Sequence, residues 1–482
     1  MWKIRTKLPH VLKNSTLYSL VSFFQKGMGF ILLPLYTTYL TPNDYGTINI
    51  INSVTAFLSI LILMSLHGAA TRFHFKSNDR FVQAQVWGTI LILIIINSLF
   101  WGVIFLVFHK YIVDPITNNI AFWPLVGISI INVTLNPLYI LYQQWLQTNQ
   151  LGKKYSINLL LNFILCTILN ISLLSIFNLG ALGVILASFF TSIVFFIYSA
   201  YKLIPQIKLT YNSQIAKEAF KYSLPLIPYS ISGYMAVMID RILLNKLVGT
   251  NQVGLYSVAN QFGTILNTIT TSVNNAFTPW AFNIISKENN YKKIYLFSEF
   301  SIIIYCIIAF TITYFSPEVI KLMTSTNYSK AWEPIIFICY GYVLNGFYYF
   351  LSMPLFYYKS DKIFIISISQ AIINIILNLL FIPKYGYIGA GLAFLCSQFF
   401  STIITYHLLS KNIFHIKFNI KKTYSIILFF LLLSLMIFYF EYHLSFCTSL
   451  IIKTLIFIII ISLTIRKYSK LFLKYFKLFN KL

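Results

Sequence analysis

Roughly fourteen apolar runs, each long enough to cross a bilayer as a helix, follow one another along the chain. No other feature limits the fold so strongly. The runs fall near 14–38, 47–71, 84–108, 121–146, 157–178, 181–203, 221–246, 254–279, 294–315, 334–357, 363–382, 387–409, 423–441 and 446–465. They are continuous, without the alternation of membrane β-strands, which argues against a closed barrel. The chain is 58% hydrophobic and only 10% charged, where a soluble protein is about 25% charged. Too few polar side chains remain to cover the apolar surface, so the expected fold is an all-α polytopic membrane protein.

The net charge of +25 raises nucleic acid as a partner, but its distribution argues otherwise. With the N-terminus inside and fourteen spans, both termini and every even-to-odd loop are cytoplasmic. Those segments hold 28 of the 36 Lys and Arg residues. The opposite side holds seven, Lys110, Arg241, Lys246, Lys321, Lys330, Lys384 and Lys453, and Lys26 sits within the first span. This is the positive-inside bias of a membrane protein, and no nucleic-acid partner is expected. The basic tail 467–482 fits either an amphipathic segment on anionic lipid or plain topology charge. The first apolar run is too long for a signal-peptide core and reads as a retained span.

Catalytic and metal chemistry find little support. The five cysteines are widely spaced, the histidines form no ligand pattern, and no P-loop, GxSxG, HExxH or paired-carboxylate motif occurs. An enzyme, a metal and a bound cofactor are therefore not expected. No ATP-driven module is visible either, so transport would run on an ion, voltage or substrate gradient.

The sequence repeats itself. "TPNDYGTINIINSV" (41–54) parallels "TNQVGLYSVANQF" (250–262), and "GALGVILASF" (180–189) parallels "GYIGAGLAFL" (386–395). Gly46 and Gly254 are 208 residues apart; Gly180 and Gly386, like Gly183 and Gly389, are 206 apart. The polar ladder Asn162, Cys166, Asn170 matches Gln370, Asn374, Asn378 at 208. The period spans six helices, so the two halves share one orientation. Parallel repeats of this kind are a transporter architecture with the substrate path between the halves. The expected division is 1–210 and 211–412 as six-helix bundles, 413–466 as two extra helices, and 467–482 as a tail.

Ionisable residues inside spans are costly and mark paths or structural pairs. Lys26, beside Gly27, Gly29 and Pro34, is a candidate cation on the path or the partner of a structural carboxylate. Asp240 and Arg241 stand side by side in "YMAVMIDRILLNKL" (234–247). Adjacent helical residues point about 100° apart, so each is expected to find its own partner. Arg241 suits a phosphate as a bidentate fork; Asp240 suits holding that Arg or coupling a cation. Packing between helices explains the two equally well. Arg72, near His67, is either an anion contact or a topology charge. Glu299 is a candidate cation or proton site. The Asn and Gln ladders tie helices together or line a cavity.

Three stretches resemble a known family. "LLPLYTTYLTPNDYGTINI" (32–50), "DRILLNKLVGTNQVGLYSVANQF" (240–262) and "ILNLLFIPKYGYIGAGLAF" (376–394) are similar to the corresponding segments of Wzx-type polysaccharide flippases, and the likeness runs along essentially the whole chain. It implies two parallel six-helix bundles in a V, as in multidrug exporters and lipid II flippases. It also implies movement of an undecaprenyl-pyrophosphate-linked oligosaccharide, an O-antigen, capsule or exopolysaccharide unit, across the bacterial inner membrane by alternating access. Lys26, Arg241, Asp240 and Arg72 become its candidate cavity residues. Na⁺ or H⁺ is the candidate coupling ion, at Asp240 or Glu299. A polysaccharide polymerase and a chain-length regulator are candidate partners of a monomeric flippase. The sparse cavity cations depart from the pattern of lipid II flippases and count against that substrate. Two other readings stay open: a cation-coupled drug antiporter on the same scaffold, and a membrane polysaccharide polymerase.

Overall fold

The computed structural model describes residues 29–118, 120–288, 291–358, 361–412, 418–443 and 446–479. Regular structure among them is entirely helical. Nine stretches are helical, long and apolar enough to cross a membrane, and the chain is a multi-pass membrane protein. The expected count of fourteen is not what this set gives. The first expected span lies largely outside the described residues, the runs at 221–246 and 254–279 form helices that do not figure among the nine, those at 363–382 and 387–409 count as one stretch, and the run at 446–465 gives only a shorter apolar helix, Thr448–Thr464. The chain packs as two compact units, Met1–Gly254 and Leu255–Leu482.

The first unit holds α1 (Leu33–Tyr39), α2 (Pro42–Leu63), α3 (Leu66–His74), α4 (Arg80–Val107), α5 (Gly127–Thr148), α6 (Gly152–Ser175), α7 (Gly180–Leu203), α8 (Ser213–Ser223) and α9 (Leu226–Val248). The start of α2 is set by a capping box. Thr41 Oγ1 accepts from the backbone of Asp44, whose carboxylate accepts from the backbone of Thr41. The apolar run at 47–71 is not one helix. Met64 and Ser65 both take left-handed backbone conformations and separate α2 from α3. Asn97 on α4 bridges the break, its amide donating to the carbonyls of Leu61 at 2.7 Å and Ile62 at 2.6 Å. A break inside a bilayer requires such internal donors.

Two apolar clusters fill this unit. One gathers Ala69, Trp87, Leu141, Leu203 and Ala219 around α3, α4, α5, α7 and α8. The other gathers Leu58, Phe105, Val126, Ile130 and Ile185. Side chains also join neighbours across helices: Ser98 donates to Thr134 O, and Asn132 to Ser188.

The second unit holds most of α10 (Thr250–Asn283), then α11 (Tyr291–Tyr314), α12 (Ser316–Met323), α13 (Ile335–Tyr358), α14 (Asp361–Asn412), α15 (Ile420–His443) and α16 (Phe446–Phe479). α14 is two helices joined by a reversal at Gly386, whose φ of 56° and ψ of −133° suit glycine alone. Gly180, its counterpart in the repeat, has a φ of 53°. The next matched pair agrees as well. A Cβ on Gly183 would press on Leu173 O, and one on Gly389 on Phe381 O. Leu173 and Phe381 are themselves 208 residues apart, so the repeat is geometric as well as sequential. Tyr305, Phe310, Tyr340, Phe347, Phe350 and Phe430 form the aromatic core, with Ser434 bonded to Tyr340 and Thr313.

Candidate functional site

α9 is apolar except near its end, and its pattern sorts the side chains by face. At about 100° per residue, Met238, Ile242 and Asn245 form one stripe. Arg241 lies about 60° to the side of Met238, and Asp240 about 160° from Ile242. The stripe packs on α2, α4 and the turns His109–Ile112 and Asp114–Thr117. Asn245 secures it by donating to Thr117 O at 2.8 Å. Between these elements lies a cavity of about 270 Å³ whose lining is wholly apolar, including Val54, Phe57, Phe105, Ile116, Met238 and Ile242. Arg241 is half-buried beside it, and its Nε has no hydrogen-bond partner among the described residues. Asp240 is 2% exposed and, by the turn of the helix, points away from the stripe. The adjacent acid and base thus diverge.

The other expected site residues scatter. Lys26 lies outside the described residues. Arg72 is exposed, with its guanidinium 4.6 Å from the centre of the Tyr222 ring. Glu299 is buried and ion-paired with Lys422 at the start of α15. Asn162 is half-buried; Asn170 is buried and bonds back to Cys166 O at 2.9 Å. The second ladder acts between helices. Asn374 reaches Ser397 and Gln370 accepts from Ser401, tying the two arms of α14, while Asn378 bonds back to Asn374 within the first arm.

Several polar residues escaped the sequence reading. Lys453, counted there as an outer-side charge, is 0% exposed inside α16. Its ammonium lies 2.7 Å from Glu318 on α12 and 3.7 Å from Glu441 at the end of α15. Glu333 accepts from Tyr387. On α10, Asn260, Thr264, Asn267, Thr271 and Asn274 recur every three or four residues, a polar stripe readable from the sequence by its spacing. Asn274 Oδ1 is buried without a partner among the described residues. Outside the spans, exposed Lys76 and Glu218 join α3's end to α8 at 2.9 Å, and Lys76 holds the Glu218 carboxyl below its usual range.

The family model described as "Polysaccharide biosynthesis protein" matches residues 11–285. The chain belongs to that family. The capsular polysaccharide biosynthesis protein CapF of Staphylococcus aureus is 25% identical over 396 residues, covering 80% of this chain and 95% of that protein. Among solved structures, the lipid II flippase MurJ in an inward closed conformation matches with a TM-score of 0.75 at 17% identity, over 94% of this chain and 100% of MurJ. An inward-facing multidrug resistance MATE transporter of the MOP superfamily matches at 0.61 and 14% identity, over 80% and 93% of the two chains. This member of the polysaccharide biosynthesis family therefore shares the fold of MurJ and of that transporter.

Proposed function

We propose that the chain is a flippase that carries an undecaprenyl-pyrophosphate-linked oligosaccharide from the cytoplasmic to the outer leaflet by alternating access. The observation that carries this reading is Arg241, a half-buried cation on an apolar helix whose Nε has no hydrogen-bond partner among the described residues, in a family named for polysaccharide biosynthesis. A pyrophosphate head cannot enter hydrocarbon unaided, and a guanidinium fork answers it. The polar stripe on α10 offers amides and hydroxyls suited to sugars. CapF is named for capsular polysaccharide and MurJ for lipid II, which supports a lipid-linked glycan as the class of cargo. In this reading the membrane is the bacterial inner membrane, both termini are cytoplasmic, and the repeats meet near residue 210. Lys26 joins Arg241 on the path, and Asp240 is the carboxylate through which Na⁺ or H⁺ couples.

The likeness to MATE transporters favours a second reading, a cation-coupled drug antiporter. Its weakness is the state of the carboxylates. Glu299, Glu318 and Glu333 are engaged by Lys422, Lys453 and Tyr387, which leaves little acidic surface for a cationic drug. The test replaces Lys26 and Arg241 together by Ala. Surface polysaccharide should disappear while the protein stays in the membrane and lipid-linked units accumulate on the inner leaflet. Normal glycan together with lost resistance to cationic dyes would favour the antiporter.

A further inference from the structure

We propose that the apolar cavity beside Arg241 seats a segment of the isoprenoid chain of the lipid-linked substrate, so that one face of α9 holds the hydrocarbon while its flank holds the phosphate. The inference rests on the flippase reading and adds to it where the carrier lipid is gripped.

The lining decides the chemistry of the occupant. Its surface is apolar throughout, so a sugar hydroxyl, amide or phosphate there would lose its water and gain no partner. Water gains nothing either, since a hydrated cavity needs two or more polar contacts per molecule. Only hydrocarbon fits. The volume is about 270 Å³; at about 30 Å³ for a water-sized group, that is on the order of nine carbon-sized groups, or about two isoprene units. Branched Ile116, Ile242 and Val54 with Phe57 and Phe105 give an uneven wall that suits a methyl-branched chain.

The cavity is preformed. Asn245 fixes the α9 stripe to the turn at Thr117, one residue beyond Ile116 of the lining. The charge next to it selects among hydrocarbons. Arg241 precedes Ile242 and carries an Nε without a hydrogen-bond partner among the described residues, so a chain ending in phosphate satisfies both the wall and the cation at one place. A neutral lipid would leave the guanidinium unanswered.

The test uses the full chain in nanodiscs and two photoreactive probes, a diazirine-tagged prenyl pyrophosphate and a diazirine-tagged phosphatidylglycerol. The prenyl probe should mark peptides containing residues 105–116 and 231–242. Ile242→Trp, which fills the cavity, should cut that labelling at least tenfold; Arg241→Gln should weaken it several-fold. Ile242→Trp should melt with the wild type in detergent, so that its loss of labelling is not misfolding. Undiminished labelling of Ile242→Trp would overturn the inference, as would equal labelling of these peptides by the phosphatidylglycerol probe. Transport of a lipid-linked saccharide in proteoliposomes separates this claim from the reading it rests on. A wild type that flips but is labelled elsewhere refutes the cavity alone, whereas one labelled here that never flips keeps the cavity and refutes the flippase.

Discussion

Gly46 and Gly254, equivalent residues of the two repeats, pack against each other's first helical turn. A Cβ on Gly46 would lie 2.0 Å from Thr250 O and 3.0 Å from the amide nitrogen of Gly254, and one on Gly254 would lie 1.9 Å from Pro42 O. Pro42 and Thr250 are also 208 residues apart. The contact is therefore reciprocal, as at a two-fold interface, and backbone meets backbone. Gly46→Ala and Gly254→Ala should each destabilise by about 1–3 kcal/mol through overpacking, and their double should fall short of the sum. Gly68, on α3 with nothing within 4 Å of its missing Cβ, is the control: Gly68→Ala should be neutral or stabilising. Melting temperatures in detergent decide it.

These glycines were legible because their reason is local. Each marks a turn or a close approach, and the same need recurs one repeat later. The break at Met64 and Ser65 was not legible, for neither residue is Gly or Pro and its donor, Asn97, is 35 residues from Ile62. Lys453 looked like a surface charge because its partner Glu318 lies 135 residues away, where spacing has no say. The divergence of Asp240 and Arg241 followed from helical spacing, yet which face of α9 packs on α2 was not legible, because the helix is apolar nearly all round.

The pair Lys76 and Glu218 sets a pH dependence of known sign. The Lys76 hydrogen bond and charge depress the Glu218 carboxyl from its usual 4.5. A depressed acid contributes stability that is present above the unfolded value and is lost as pH falls through the folded one. The wild type should therefore exceed Glu218→Gln slightly above about pH 5, and the two should converge below about pH 3. Salt should shrink the difference, since the pair is exposed. Urea titrations across pH 3–7 read it.

Removing Lys453 strands a carboxylate. Glu318 is nearly as buried as Lys453, and its Oε2 already lacks a hydrogen-bond partner among the described residues. Lys453→Met should cost about 3–5 kcal/mol, as for other broken buried pairs. Replacing both partners, as Lys453→Met with Glu318→Leu, should recover most of that loss, because the stranded charge goes with its partner. A double variant no more stable than the single would show that Glu318 is not what the lysine compensates. Thermal unfolding of the four proteins completes the cycle.

The break between α2 and α3 predicts opposite signs at two residues that lie close together. Asn97→Leu leaves the Leu61 and Ile62 carbonyls without the donor that bridges them, at about 1–3 kcal/mol for each buried group. Asn97→Asp should be no better, because an ionised carboxylate accepts and cannot donate. Ser65 is the reverse case. Its φ of 57° is left-handed, and its side chain makes no capping bond, so the hydroxyl secures nothing at this helix start while the Cβ adds strain of about 1–2 kcal/mol. Ser65→Gly should therefore stabilise by up to about 1 kcal/mol, part of the relief being returned as greater freedom of the unfolded chain. If the break were incidental, straightening it would be harmless, and Asn97→Leu would melt with the wild type while Ser65→Gly melted lower. Detergent melting curves of the two single variants distinguish these outcomes directly.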